Sequence, residues 1–367
     1  MKIEFYAPLK SPHHPVPSGD RLMARMLVSA LGAKGHIVRI ASELRSFSKA
    51  PDPKAWTALT ENADREVERI SERWRTGPVP DLWFCYHPYY KAPDLIGPRL
   101  ADQFGLTYVT AESSYAAKRD GGPWGPWQAC VRESLEQAAV NICLTERDRA
   151  GILASLPAAR TASLKPFIDT SRFANGATDQ TQPHVQLMTV AMMRDGDKFD
   201  SYEVLAKALA RLPSHLSWHL AVIGDGPKAL EVKALFADFP SDRITWLGAK
   251  TEAEVTQLLR HGSIYVWPGC GEAYGLAYLE AQASGLPVVA QDIAGVPEVV
   301  VNGVTGILTQ PGDIEAYSDA IADLISDSAR RKKLSTAARD FVMQQRSLDR
   351  AADQLDKILW DAMNRGQ

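Results

Sequence analysis

The sequence predicts an α/β protein made of two domains, each with a doubly wound parallel sheet. Predicted strands and helices alternate along almost the whole chain, and this order favours parallel sheets with helices on both faces. The chain has 367 residues, which is too long for one hydrophobic core and suits two. A strand–loop–helix–strand unit around residues 263–290 is typical of a right-handed crossover in such a sheet.

Composition limits the classes of function. Hydrophobic residues make up 45% and charged residues 23% of the chain, which is ordinary for a globular protein. The net charge of −3 gives no reason to expect nucleic acid as a partner. No apolar run reaches the roughly 18 residues that span a bilayer, and the N-terminal segment lacks the apolar core of a signal peptide. The scattered cysteines show no metal-ligand spacing, so we expect reduced thiols and a cytoplasmic protein.

The N-terminal half begins with a strand, a loop rich in proline and histidine, and an amphipathic helix from about Arg21 to Lys34. Short apolar runs bounded by glycine, proline and polar residues mark its strands. The predicted strands are Lys2–Ala7, Ile37–Ala41, Leu82–Tyr86, Thr107–Ala111, Asn141–Thr145 and Thr161–Leu164. A charged helix is predicted over 52–75, and the GGPWGPW run after Arg119 is predicted to be a loop.

The C-terminal half repeats the same alternation of strands and helices. Its predicted strands are Gln186–Met193, Trp218–Ile223, Ile244–Leu247, Ser263–Trp267 and Val288–Ala290. Its predicted helices are Gly275–Ser284, Asp313–Ser326, Ala329–Gln345 and Leu348–Asn364. The Gly224-Asp-Gly226 turn lacks the third glycine of a dinucleotide fingerprint, which argues against a nicotinamide dehydrogenase.

Two glutamates follow the fourth predicted strand of the C-terminal half, in and just after a loop that contains glycine residues. Glu272 lies in the loop, Glu280 lies in the helix that follows, and Gly275 stands between them. A loop entering a helix N-terminus offers free N–H groups that suit a phosphate, and a carboxylate accepts two hydroxyls of a sugar at once. This arrangement would suit a nucleotide-sugar. The alternative is that Glu280 pairs locally and Glu272 is a solvated loop residue.

The surrounding residues favour the first interpretation. The segment Glu272-Ala-Tyr-Gly-Leu-Ala-Tyr-Leu-Glu280, followed by Gly295-Val-Pro-Glu298 and Asn302-Gly-Val-Thr-Gly306, closely resembles the donor half of retaining glycosyltransferases of family 4. The resemblance implies GT-B architecture, in which two Rossmann-like domains face each other across a cleft. It also implies an acceptor domain over 1–168, a donor domain over 169–347 and a last helix, within 348–367, that crosses back onto the first domain. Phe167-Ile168 replaces the asparagine-glycine usual at the crossing.

The same resemblance implies a set of donor-binding residues. Arg194 and Lys198 would hold the diphosphate, with help from backbone N–H groups at Gly275 and Leu276. Glu280 would accept the ribose diol and Glu272 the hydroxyls of the transferred sugar. Gly248 belongs to the loop that contacts the base in the family, and Gly19 stands where the family usually has two glycines. The alternative for Gly19 is an ordinary helix start capped by Ser18 or Asp20.

The acceptor side departs from the family at one position. Many relatives carry a histidine after the fourth strand, near the transferring sugar, whereas this chain has Glu112. We include Glu112 with Glu272, Arg194 and Lys198 as expected catalytic residues, because a carboxylate can take a proton or hold a cationic group. His87 and Tyr89 follow the strand Leu82–Tyr86, at the edge where open sheets bind ligands. With Tyr115 they are the expected acceptor residues, and packing within the loop is the alternative.

These observations predict a cytoplasmic, retaining hexosyltransferase that uses a UDP-, GDP- or ADP-sugar and needs no cofactor. No Asp-x-Asp stands at a strand end as a metal-bound nucleotide-sugar would require, and Asp195-Gly-Asp197 lies in the expected phosphate loop instead. We therefore expect metal-independent catalysis. The acceptor is left open between a sugar, a lipid-linked molecule and a small molecule, and a peripheral membrane contact is also left open. The alternatives are a non-catalytic protein that binds sugar-nucleotides and a GT-B phosphorylase or epimerase.

Overall fold

The computed structural model describes residues 1–16, 18–174 and 184–365. The chain divides into two compact units. Unit 1 comprises Met1–Lys165 and Leu348–Gln367, and unit 2 comprises Pro166–Ser347. The C-terminal helix therefore belongs to the same unit as the N-terminus.

Unit 1 contains a parallel sheet in the order β2-β1-β3-β4-β5-β6, which is six strands within the described residues. Its strands are β1 (Lys2–Tyr6), β2 (Ile37–Ile40), β3 (Leu82–Tyr86), β4 (Thr107–Ala111), β5 (Val140–Cys143) and β6 (Thr161–Ser163). All residues of β3 and β5 are buried, because helices cover the central strands on both faces.

The helices of unit 1 pack around this sheet. They are α1 (Gly19–Ala33), α2 (Pro53–Arg75), α3 (Gly97–Phe104), α4 (Gly125–Gln137), α5 (Glu146–Ser155) and α12 (Leu348–Arg365). The C-terminal α12 lies beside α1, where Lys34 Nζ pairs with Asp353 Oδ1 at 2.8 Å and His36 Nε2 lies 2.9 Å from Asp356 Oδ1. The aromatic residues of β3 and α2 supply much of the core, with Trp83 fully buried against Trp74.

Unit 2 contains a second parallel sheet, in the order β12-β11-β10-β7-β8-β9. Its strands are β7 (Val185–Val190), β8 (Trp218–Ile223), β9 (Ile244–Gly248), β10 (Ile264–Val266), β11 (Val288–Gln291) and β12 (Gly306–Thr309). Its helices are α6 (Asp197–Ala210), α7 (Ala229–Ala234), α8 (Glu252–Leu259), α9 (Leu276–Ala283), α10 (Ile314–Ser326) and α11 (Ser328–Gln345). The predicted fold class, two doubly wound parallel sheets, is confirmed.

Two local predictions differ from the structure. The second half of the GGPWGPW run is not a loop, because Gly125 begins α4 and Trp127 is only 2% exposed, with its ring 4.4 Å from that of Trp56. Burial of a large aromatic ring outweighs the turn signal of Gly-Pro here. Helix α3 was not predicted, because Gly97-Pro98 is typical of a break between elements. The Asp94 carboxylate accepts the N–H groups of Ile96 and Gly97 at 3.0 and 2.8 Å and so starts the helix.

Candidate active site

Each sheet has a point where the strand order reverses, and polar residues collect there. In unit 2 the neighbouring strands β7 and β10 continue to opposite sides of the sheet, to β8 and to β11. In unit 1 the same holds for β1 and β3, which continue to β2 and to β4. Loops that diverge after two neighbouring parallel strands leave a crevice beyond their carboxyl ends, where open α/β sheets bind ligands.

The segment after β7 carries the two expected phosphate-binding cations. Arg194 is exposed, and Lys198 lies in the first turn of α6. The backbone before Arg194 is fixed by the Gly224-Asp-Gly226 turn, because Met193 N–H donates to the Asp225 carbonyl at 3.0 Å. A Cβ on Gly226 would lie 2.3 Å from the Met193 carbonyl oxygen, so only glycine permits this packing. The turn after β8 therefore holds the segment that presents Arg194.

Lys198 and Glu272 meet across the switch point of unit 2. The Lys198 ammonium pairs with Glu272 Oε1, and Trp267 Nε1 donates to the same oxygen at 3.2 Å. The ammonium also lies 5.5 Å from the centre of the Trp267 ring. Both charged side chains are mostly buried, with 19% and 15% exposed. The structure thus brings together two expected site residues that are 74 positions apart in the sequence.

The loop that carries Glu272 is shaped by two glycines. Gly275 has φ 72°, a left-handed conformation that suits glycine, and it directly precedes α9. Gly295 packs so closely on this loop that a Cβ would lie 1.5 Å from the Ala273 carbonyl oxygen. The first N–H groups of α9, beginning at Leu276, have no partner within the helix and can donate to an anion.

Glu280 lies in α9. Its carboxyl group is buried, and its negative charge is only weakly balanced by the nearby Arg172. Its side chain is 14% exposed, and Arg172 Nη2 is 4.0 Å from Oε1. Arg172 makes its short contact with Glu252 instead, at 2.7 Å. Burial therefore dominates and raises the pKa of Glu280 to about 7, although Arg172 acts in the opposite direction. Arg172 is thus a distant local partner of Glu280, and the role of Glu280 in donor binding stays a prediction.

The two remaining expected donor glycines have different local roles. Gly248 ends β9 with φ 69°, and its carbonyl accepts the Gly224 N–H at 2.9 Å. Gly19 is the first residue of α1, where Ser18 Oγ accepts the Arg21 N–H at 3.2 Å. A Cβ on Gly19 would meet no described atom within 4 Å. Local packing in unit 1 therefore gives no reason for glycine at this position.

Near the switch point of unit 1, His87 and Glu112 lie at the carboxyl ends of two adjacent strands. They directly follow β3 and β4, which pair in register up to Tyr86 and Ala111. Glu112 is 7% exposed, and its Oε2 accepts the Tyr86 hydroxyl at 2.8 Å. Asp20, in the first turn of α1, reaches His87 with Oδ1 3.3 Å from Nδ1. Sequence reasoning selected His87 and Glu112 but treated Asp20 only as a helix-start residue.

The two expected acceptor tyrosines differ in their surroundings. The Tyr89 ring lies 5.3 Å from the His87 ring and is part of the same group of side chains. Tyr115 is 7% exposed, and its hydroxyl donates to Asp120 at 2.6 Å and accepts from Arg132 Nε at 3.0 Å. Its hydroxyl group is engaged within unit 1, and its contact with the acceptor stays a prediction.

Two features are absent from the part of the chain that the structure describes. Within residues 1–16, 18–174 and 184–365, no three His, Cys, Asp or Glu side chains group together as metal ligands would. None of the described helices is both long and apolar enough to cross a membrane.

The two reversing parallel sheets and the polar clusters at their switch points are typical of doubly wound α/β proteins, which bind ligands at such points. Residues 190–341, most of unit 2, match the family described as "Glycosyl transferases group 1". The chain is 34% identical over 143 residues to a sulfoquinovosyl transferase of Arabidopsis thaliana, and the alignment covers 38% of this chain and 27% of that protein. It is 26% identical over 410 residues to a D-inositol 3-phosphate glycosyltransferase of Corynebacterium aurimucosum, and that alignment covers 99% of this chain and 97% of the relative.

A solved structure shares the fold. An Anabaena protein in complex with UDP-glucose superposes with a TM-score of 0.70 at 14% identity, covering 98% of this chain and 100% of that one. Together the findings show a GT-B fold and similarity to glycosyltransferases, and the recognition made from the sequence is confirmed to that extent. The alignment with the plant transferase spans about a quarter of that protein's length, so the substrates and partners of this chain are matters for proposal.

Proposed function

We propose that this protein is a retaining glycosyltransferase that moves a hexosyl group from a nucleotide-diphospho-sugar to an acceptor, without a metal ion or cofactor. The observation that carries the proposal is the meeting of Lys198 and Glu272 at the switch point of unit 2, next to the start of α9. A cation, a carboxylate and free helix N–H groups in one place match the phosphates and hydroxyls of such a donor.

The diphosphate would lie among Arg194, Lys198 and the N-terminal turn of α9. An ammonium group has three N–H donors, so Lys198 can keep Glu272 and still donate to a phosphate oxygen. When the bond between the sugar and the diphosphate breaks, negative charge grows on the leaving group. Two cations and a helix N-terminus, already in place, stabilise that charge and take the part that a metal ion plays elsewhere.

The two glutamates would divide the sugars of the donor between them. Glu280 would accept the hydroxyls of the ribose, and Glu272 those of the transferred sugar. Gly248, the last residue of β9, and Lys250 stand in the position of the family's base-contacting loop, and Gly19 leaves open space beside the start of α1. His87, Tyr89 and Glu112 would contact the acceptor. A retaining, same-face attack is the mechanism proposed for the family, and it requires no protein nucleophile.

UDP-glucose is the first donor to test, because the Anabaena structure with this fold was solved with that compound. In a thermal-shift assay, a ligand present at about 100 times its Kd stabilises the folded state by about 2.7 kcal/mol. We expect UDP-glucose, GDP-glucose or ADP-glucose to raise the melting temperature, and Lys198→Ala to reduce that rise. If none of the three raises it at millimolar concentration, the donor class is wrong.

A second candidate is a non-catalytic protein that binds sugar-nucleotides. The presence of Glu112 where relatives carry a histidine favours it. The two candidates differ in one measurable property, since a transferase slowly hydrolyses its donor with water as acceptor. Donor binding without any such hydrolysis would favour the second candidate.

A further inference from the structure

Three charged residues from three different elements meet at the switch point of unit 1. His87 follows β3, Glu112 follows β4, and Asp20 opens α1 after the loop from β1. His87 Nδ1 lies 3.3 Å from Asp20 Oδ1, and the Tyr86 hydroxyl donates to Glu112 Oε2 at 2.8 Å. We call Asp20, His87 and Glu112 the β3–β4 edge triad. The group stands at the position where sheets of this order bind ligands.

The backbone of the triad is strained at two of its three members. His87 has φ 60° and Glu112 has φ 55°, a left-handed conformation that is uncommon outside glycine. Each such residue costs about 1–2 kcal/mol, and strain of this kind clusters at functional sites. Hydrogen bonds hold both residues in place, from His87 N–H to the Ala111 carbonyl and from Glu112 N–H to the Ile142 carbonyl, each 2.8 Å. Two strained residues side by side on neighbouring strands point to a built site.

The charges of the triad fix the hydrogen-bonding role of each member. Burial by itself lowers the pKa of His87, but the carboxylates of Glu112, Asp20 and Asp148 together raise it to about 9. The imidazole ring is therefore charged at neutral pH, and both of its nitrogens are donors. One cation and two carboxylates leave the triad with a net negative charge. Such a group disfavours an anionic substituent and favours a neutral hydroxyl.

We propose that Asp20 is a positioning residue that orients the His87 ring through Nδ1, so that His87 Nε2 and Glu112 offer one donor and one acceptor to a neutral hydroxyl of the acceptor. A hydroxyl has one O–H to donate and lone pairs to accept, so it matches this pair. The inference rests on the proposed function and names the acceptor class, a hydroxyl compound that is uncharged at its reacting end. Tyr89, with its ring 5.3 Å from that of His87, adds an apolar face beside the hydroxyl.

The test uses hydrolysis of UDP-glucose, in which water takes the place of the acceptor hydroxyl. His87→Asn removes the imidazole and keeps a residue type that tolerates the left-handed backbone. We expect it to lower kcat about tenfold to a hundredfold, with KM for UDP-glucose unchanged. Asp20→Asn should lower kcat about threefold to tenfold. The double variant should be no slower than His87→Asn alone, because Asp20 acts through His87.

The chain supplies a matched control. His36 is likewise a buried histidine beside an aspartate, with Nε2 2.9 Å from Asp356 Oδ1 and 3% of its side chain exposed, but it precedes β2 and so lies at the opposite end of the strands. His36→Gln should leave kcat unchanged. If His36→Gln lowers kcat as much as His87→Asn, the loss reflects packing of unit 1 and the inference is wrong.

A second measurement does not depend on turnover. In a ¹⁵N-histidine NMR titration of the full chain, His87 should remain protonated above pH 8 and lose its proton at lower pH in Asp20→Asn. A neutral His87 at pH 7 would overturn the inference, as would full kcat in His87→Asn or a strictly additive double variant. If the wild-type protein hydrolyses none of UDP-glucose, GDP-glucose and ADP-glucose, that result would instead count against the proposed function, and the inference would fall with it.

Discussion

Substitution of Glu280 tests whether a buried charge is kept for the donor. The folded protein holds this carboxyl with a pKa of about 7 instead of 4.5. A pKa raised by folding means that the folded state binds the proton more tightly, so stability falls as pH rises from about 4.5 to 7. At about 1.36 kcal/mol per pH unit, the charged form costs about 3 kcal/mol above pH 7. Glu280→Gln removes that cost and keeps the size of the side chain.

We therefore expect Glu280→Gln to make the unliganded protein more stable at pH 8 and to weaken donor binding at the same time. The gain in the free energy of unfolding should approach about 3 kcal/mol at pH 8 and fall below about 1 kcal/mol at pH 5. Each kcal/mol raises the melting temperature by about 2–4 °C. Binding of UDP-glucose should weaken about tenfold or more, because a charge-assisted hydrogen bond is worth about 1.5–3 kcal/mol.

The assay is a pair of thermal melts at pH 5 and pH 8, with and without UDP-glucose. Glu203→Gln is the control, because Glu203 is a glutamate of unit 2 that has 40% of its side chain exposed and pairs with Lys207 at 3.8 Å. That variant should show no comparable gain in stability at pH 8. A loss of stability in Glu280→Gln at pH 8 would show that the carboxylate is structural. Unchanged donor binding would place Glu280 outside the donor site.

Three further predictions concern the donor site and its chemistry. Lys198→Ala should lower turnover of UDP-glucose about tenfold to a hundredfold and keep the fold. Lys207→Ala, which removes an exposed lysine paired with Glu203 at 3.8 Å on the same helix, should have no effect. Equal turnover in the two variants would contradict a role of Lys198 in phosphate binding. Gly295→Ala should shift the loop of Glu272, since its Cβ would lie 1.5 Å from the Ala273 carbonyl oxygen. We expect this shift to lower kcat/KM at least about tenfold. Gly32→Ala should leave kcat/KM unchanged, because a Cβ there would meet nothing within 4 Å. Activity should persist in excess EDTA without a manganese optimum, and a strict need for a divalent ion would contradict metal independence.

Much of the fold could be predicted because it depends on local patterns. Apolar runs of strand length alternate with helical segments, and Trp218–Ile223 and Leu82–Tyr86 are strands at the predicted bounds. Signals that compete locally were harder to weigh. Gly97-Pro98 reads as a break but begins α3, because the side chain of Asp94 satisfies the first N–H groups.

The composition of the candidate site could be predicted in part, but its contacts could not. Lys198 and Glu272 are 74 positions apart, and only the strand order, which places β7 beside β10, brings them together. The contact of Asp20 with His87 depends in the same way on β1 lying beside β3. The state of Glu280 follows from burial and from Arg172 being occupied by Glu252, and neither can be read from a motif.

The most direct test of the proposed transferase is the anomeric form of the sugar that it releases. The protein is incubated with UDP-glucose, in which glucose is α-linked, and the reaction is followed by ¹H NMR before mutarotation mixes the anomers. We predict that UDP and α-glucose appear together, at a rate that falls in Lys198→Ala. Initial β-glucose would contradict retention. Release that requires inorganic phosphate and yields glucose 1-phosphate would indicate a phosphorylase, and a bound but intact donor would contradict a transferase.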